Sequence, residues 1–352
     1  MQLYGREWTR REVEARTGRI EQIGGVRRLR LQEGREDGVE MIQVRTGAGL
    51  EFNVSPHRGL DISLAQFLGT PLSWQSPNGD AHPAYFHGEG LEWLRTAAGG
   101  LMMTCGMRQV GSPCIDEGES LGIHGRAHHL AASHVAAQGE WIDDNYVMTV
   151  SGRVDETRIF GENLRYSRII QSRLGENVIR IQDTVENAGF ATTPFMMLYH
   201  FNFGWPLIGE KTRFLFPSRQ VQPREKETPL EGYTQWSAPD PAFKERVYYH
   251  GDFQKFRDPK LGIELAEVTL SNPEFPAGGE VRPVKVSLRW SVESLPTLVQ
   301  WKMPGAGTHV LGIEPSNCFV GGRKLERERK ALRFLEPGES AVHFLEVAVS
   351  AG

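Results

Sequence analysis

A chain of 352 residues with 39% hydrophobic and 24% charged side chains has an ordinary globular composition, with enough apolar residues to fill a sizeable core. A net charge of −4, with basic and acidic residues interspersed as in Arg323-Lys324-Leu325-Glu326-Arg327-Glu328, leaves no broad basic face and argues against nucleic-acid binding. Three cysteines without C-x-x-C spacing argue against a disulfide framework and fit a reducing compartment.

Met1–Glu7 turns charged at once and builds no signal-peptide core, and no later run reaches the length of a membrane span. A cytoplasmic protein that does not enter membranes is expected. Thirty-nine glycines and twenty prolines then punctuate short runs rich in Val, Ile, Phe and Tyr, the rhythm of antiparallel β-structure. In chain order the predicted strands are Val26–Leu31, Met41–Thr46, Glu51–Ser55, Tyr146–Val154, Tyr166–Leu174, Val178–Glu186, Val284–Trp290, Leu298–Met303 and Val342–Val349. So many strands imply stacked sheets, an all-β class. With no internal repeat, low-complexity tract or linker, residues 1–352 read as one large domain, of which 1–25 form an N-terminal extension.

Helical periodicity is scarce. Gly90–Ala98 is the clearest candidate, with Leu91, Leu94 and Ala98 on one side. Tyr166–Leu174 and Val178–Val185 flank the turn Gly175-Glu176-Asn177 as a hairpin, in which Asp183 shares a face with Ile179 and Ile181 and needs a polar partner if that face is buried. Gln222–Pro241, polar and proline-rich, reads as a long surface excursion of the kind that builds sites.

Two segments carry candidate chemistry. In Tyr199-His200-Phe201-Asn202-Phe203-Gly204-Trp205 a histidine and an amide alternate with aromatics, as on a strand ending at an aromatic-walled ligand cavity; a satisfied core histidine is the other reading. In Val310–Pro315 an apolar strand delivers Glu314 just before a proline. At a cavity rim, partial desolvation would keep that carboxylate basic enough to abstract a proton; on a solvated loop it is an ordinary charge.

These residues resemble landmarks of the aldose 1-epimerase (galactose mutarotase-like) superfamily. Leu121-Gly122-Ile123-His124-Gly125-Arg126 resembles its L-H-G motif, and His200-Phe201-Asn202-Phe203 its N-H-x-Y-F-N motif. Gly312-Ile313-Glu314-Pro315 resembles the strand bearing the catalytic glutamate, and Phe334–Ser340 the turn before the last strand. His57–Ile62 and Gly99–Gly106 resemble most the divergent branch known as DUF4432. The sequence departs from the family pattern where Tyr199 precedes His200 and where Gln300-Trp301-Lys302 replaces a Tyr-Thr strand, so the pocket is rebuilt.

The resemblance implies a β-supersandwich isomerase that interconverts the anomers of a free monosaccharide without cofactor or metal. Glu314 would take the O1 proton and His200 would protonate the ring oxygen, with the roles exchanging on closure. His124 would hold the ring oxygen and adjacent hydroxyls, and Asn202, Trp205 and Trp301 would contact the sugar. Asp252 matches, by position alone, the family aspartate that grips hydroxyls. Arg58, Arg126 and Lys302 are more cations than a neutral hexose requires and point to an acidic sugar, unless each pairs locally, as Arg58 would with Asp61. The same histidines, His57, His124, His128, His129 and His200, with Glu314, would also suit a metal-dependent sugar isomerase or lyase, and the aromatics a carbohydrate-binding protein without turnover. A homodimer is a compatible assembly.

Overall fold

Each of the nine predicted runs is a strand in the computed structural model, which describes residues 1–352. Strands pair into one twelve-stranded and one nine-stranded antiparallel sheet. The larger runs in the order Ser218–Pro223, Arg246–Phe253, Thr297–Gly305, Thr308–Ser316, Thr193–Gly204, Met102–Met107, Asp61–Phe67, Leu50–Ser55, Glu40–Arg45 and Gly25–Arg30, with two short strands attached. The smaller is centred on Asn163–Arg173, Val178–Asn187, Ser340–Ala351 and Glu280–Ser291. A cluster of 53 buried hydrophobic residues draws on both sheets, which therefore pack face to face. Helix is limited to short pieces, and no helix is long and apolar enough to cross a membrane. The expected helix over Gly90–Ala98 is only a 3-10 segment, Glu92–Arg95.

Strand Thr193–Gly204 decides where the site falls, because it is buried on both faces. Successive side chains of a strand point to opposite faces. Phe195, Met197, Tyr199, Phe201 and Phe203 enter the inter-sheet core, whereas Met196 and Leu198 join a separate cluster of 12 buried residues on the outer face of the large sheet. His200 follows Leu198 on that outer face. Phe201 and Phe203 therefore build the core instead of walling a ligand cavity.

Between the sheets lies a charged network that supplies the partner Asp183 needs. The hairpin forms as expected, with Arg168 opposite Asp183. Arg168 is fully buried; its Nε and Nη2 donate to Asp183 at 2.9 and 2.6 Å, and its Nη1 donates to Asp61 at 2.8 Å and Gly59 O at 3.0 Å. Tyr199, from the facing sheet, donates its hydroxyl to Asp183 at 2.7 Å. Asp61 also accepts from Thr104 N at 2.8 Å and from His128 Nδ1 at 2.7 Å, and His128 Nε2 lies 3.0 Å from Arg58 Nη1. Arg168 and two aspartates are thus paired out of water, with Arg58 joined to them through His128.

Removing one member of such a set strands the others. Arg168→Met is expected to cost about 3–5 kcal/mol of unfolding free energy, measured by urea denaturation; a loss below about 1 kcal/mol would show that the two sheets do not depend on this clamp.

Candidate active site

Four neighbouring strands of the large sheet align one residue each into a row across its outer face. Met103 is opposite His200, Val299 is opposite Glu314, and the pairs Leu198 with Ser316 and Phe201 with Ile313 set the register that brings His200 opposite Glu314. Met103, His200, Glu314 and Val299 together floor a cleft of about 550 Å³. Its walls include Trp74, Trp93, His124, Arg224, Glu245 and Trp301. The volume and the mixture of apolar walls with few polar groups are those of a small-molecule site.

His200 Nε2 lies 3.1 Å from Glu314 Oε1, with both side chains buried. The two atoms are close but not aligned as a hydrogen bond, and Glu314 Oε1 and His200 Nδ1 have no hydrogen-bond partner in the protein. Buried polar atoms are almost always paired, so two orphans at the floor of a cleft leave bonding capacity open to a ligand or water. Burial pushes the Glu314 carboxyl well above the usual carboxylate range; the charge of Glu245 adds to this and that of Arg224 opposes it. Burial also pushes His200 down to about 4. Burial thus favours the neutral form of each group, a carboxylic acid beside a free imidazole, with one transferable proton between them.

His124 completes a triangle of rings. Its centroid is 6.0 Å from that of His200 and 5.1 Å from that of Trp93. Its backbone is in the left-handed region, φ 58°, uncommon without glycine and costing on the order of 1 kcal/mol. Gly111 N–H points at its Nδ1 from 3.4 Å, leaving Nε2 as the protonated donor. Burial, then His200 and Arg224, pushes its pKa down to about 3, so it stays neutral.

Trp301 stands edge-on to His200, centroids 5.6 Å apart, and donates Nε1–H to Glu245 Oε2 at 2.9 Å. Glu245 Oε1 in turn accepts from Arg224 Nη2 at 3.1 Å.

The other sequence candidates lie elsewhere. Arg58 is buried under the cleft, bonded to His128 and to Ala81 O; its expected partner Asp61 is bonded instead to Arg168, His128 and Thr104. Arg126 is exposed and lies against Gly88. Asn202 shares the face of His200 but spends its amide on Gly100 O at 3.2 Å and His200 O at 3.0 Å. Lys302, next to Trp301, points to the opposite face, where its ammonium donates to Gly232 O at 2.7 Å. Gly232 belongs to the long excursion, which covers the end of the sheet through this bond and that of Gln300 to Tyr233 O. Asp252 is exposed and faces Arg219 at 3.6 Å, about 16 Å along its strand from Val247, which lines the cleft. Trp205 lies just past its strand and outside this cleft. Nor do the histidines gather as metal ligands: His57 faces His82, His128 bonds Asp61 and His129 bonds Thr96. No group of three His, Cys, Asp or Glu side chains is placed to hold an ion.

Trp74, Trp93, Arg224 and Glu245 are wall residues that sequence reasoning missed. Trp93 sat in the segment read as a connecting helix, and Arg224 and Glu245 lie in and just past the excursion flagged as site-building.

This architecture is the galactose mutarotase-like β-supersandwich. Residues 36–349 match the family model of a domain of unknown function, DUF4432, and the chain belongs to that family. Among solved structures it is similar to a Klebsiella pneumoniae protein assigned as an aldose 1-epimerase, with a TM-score of 0.80 and 23% identity over 92% of this chain and 83% of that one. It is also similar to a galactose mutarotase-like protein of Clostridium acetobutylicum (TM-score 0.62, 12% identity, 93% and 99% covered). A galactose 1-epimerase of Lactobacillus acidophilus shares the fold as well (0.54, 13%, 93% and 99%). At these identities the likeness establishes the fold. No curated protein matches the sequence.

Gly312 is what lets the pair approach. A Cβ there would lie 2.5 Å from Glu314 Oε1, 2.9 Å from Trp301 Cβ and 3.4 Å from His200 Cε1. Gly312→Ala is expected to push the carboxyl off the imidazole and to cost about 1–3 kcal/mol of stability through overpacking, measured by urea denaturation. An unchanged stability would show that the carboxyl has room to spare.

Proposed function

We propose that this protein is a cofactor-independent aldose 1-epimerase, interconverting sugar anomers with His200 and Glu314 as its acid–base pair. The observation that carries the reading is the pair itself: a buried carboxyl and imidazole 3.1 Å apart, with unpartnered atoms at the floor of a tryptophan-walled cleft.

Mutarotation needs one proton taken from the O1 hydroxyl and one given to the ring oxygen. The hemiacetal opens, C1 rotates and the ring recloses on its other face. The resemblance implies Glu314 as the O1 base and His200 as the acid; burial favours the opposite start, with the proton on Glu314 and His200 as base. Moving one proton across the pair converts one arrangement into the other. Because ring closure reverses the roles of ring opening, either start returns the pair to its original state. The requirement is one proton shared by two groups. His124 Nε2–H is positioned to donate to a sugar oxygen, and the tryptophans offer faces on which a pyranose ring packs.

The substrate is a neutral sugar. Arg58, Arg126 and Lys302, the cations that pointed to an acidic one, do not line the cleft, and the cation that does, Arg224, is engaged by Glu225 and Glu245.

Glu314→Gln and His200→Asn should each lower the turnover of anomer exchange by roughly 10²–10⁴ while sugar affinity changes far less, because proton transfer belongs to the transition state. Exchange NMR over a panel of sugars measures it, and near-normal exchange in Glu314→Gln would sink the mechanism. The pH profile follows from the pair. As pH falls through about 4, His200 gains a proton while Glu314 keeps its own, and no base remains. Exchange, corrected for the uncatalysed rate, should therefore hold through mildly acidic pH and collapse near 4; a limb at the ordinary histidine value would contradict a buried neutral His200.

A further inference from the structure

Trp205 is 71% exposed, although a tryptophan side chain can bury on the order of 150–250 Å². It lines a second hollow of about 280 Å³ together with Trp74, Gln75, Gly307 and His309. Trp74 also lines the catalytic cleft, and Thr308, which lines the cleft, lies between Gly307 and His309 of the hollow. The two spaces are thus neighbours sharing one tryptophan and one hairpin. Aromatic rings step outward from the acid–base pair: His200 to Trp301 at 5.6 Å, Trp301 to Trp74 at 6.3 Å, then Trp205 across the hollow.

Taking the anomeric centre to sit at His200 and Glu314, as in the proposed function on which this step rests, we infer that Trp74 and Trp205 form an outer saccharide subsite and that the substrate is the reducing end of a neutral oligosaccharide. Flat, apolar pyranose faces pack on indole rings, and the polar side chain of Gln75 beside them suits hydroxyls. A free monosaccharide reaching the pair would leave Trp205 in water. An oligosaccharide extending along the aromatic steps covers it, which accounts for a large aromatic kept on the surface next to the cleft.

Titration calorimetry with glucose, maltotriose and cellotriose on wild type, Trp205→Ala and Trp205→Phe tests this without relying on turnover. One trisaccharide should bind wild type about tenfold more tightly than glucose; that ratio should fall about tenfold in Trp205→Ala and largely recover in Trp205→Phe, which keeps a stacking face. The exposed position keeps the substitution out of the core, and circular dichroism checks the fold. A wild-type ratio near one, or the same ratio in Trp205→Ala, overturns the outer subsite. Exchange NMR on the same samples separates the two ideas. Glucose exchange without a trisaccharide preference removes the subsite and keeps the epimerase; a Trp205-dependent preference without exchange of any sugar keeps the subsite and removes the acid–base reading.

Discussion

The clamp of Arg168 on Asp183 and Asp61 is the constraint on which the arrangement of the molecule turns. An isolated charge between two packed sheets would cost several kcal/mol, so the members must meet at fixed positions or not be buried at all. Arg168 and Asp183 come from one sheet, and Asp61, Thr104 and Tyr199 from the other. Hydrophobic contacts alone would tolerate small slips between the sheets; a guanidinium with its donors assigned to particular oxygens tolerates far less. Tyr199 is thereby tied down on the core side of its strand, and its neighbour His200 is aimed the other way.

That opposition sets the geometry of the proposed acid–base pair. One strand serves two environments because its side chains alternate, so the order imposed on the core is transmitted to the cleft with no linking loop. His200 and Glu314 meet through the register of adjacent strands, and Gly312 leaves the volume the carboxyl occupies. Building the pair on the middle of a sheet gives it a rigid base. The walls, by contrast, come from short segments and loops: Trp74, Trp93, Arg224 and Glu245 sit on pieces that can differ without disturbing the pair. The histidine–carboxyl pair is held by the sheet and the cleft walls by its surroundings.

Burial has opposite effects on the two groups of the proposed pair. It disfavours carboxylate and imidazolium alike, raising one pKa and lowering the other. A single environment therefore favours a neutral acid beside a neutral base. The same cleft holds His124 neutral, with its tautomer set by the Gly111 amide, so a neutral donor is available near the pair.

By itself the amino-acid sequence determined the strands, the hairpin around Gly175, the need of Asp183 for a partner and the residues His124, His200, Glu314 and Trp301. These follow from local alternation, turn chemistry and motif, which are properties of contiguous segments. Where each side chain points relative to a distant strand is not such a property. Arg58, Arg126, Lys302 and Asp252 carry the right charges for a sugar site, yet a one-residue offset along a strand, as between Trp301 and Lys302, moves a side chain to the opposite face. Arg224 and Glu245 lie 21 residues apart on a stretch without periodicity and become a pair only when the excursion folds back on the sheet. Tertiary structure alone decided which charges met the core, which met one another and which met the cleft, because burial and pairing depend on contacts between segments that the chain order keeps far apart.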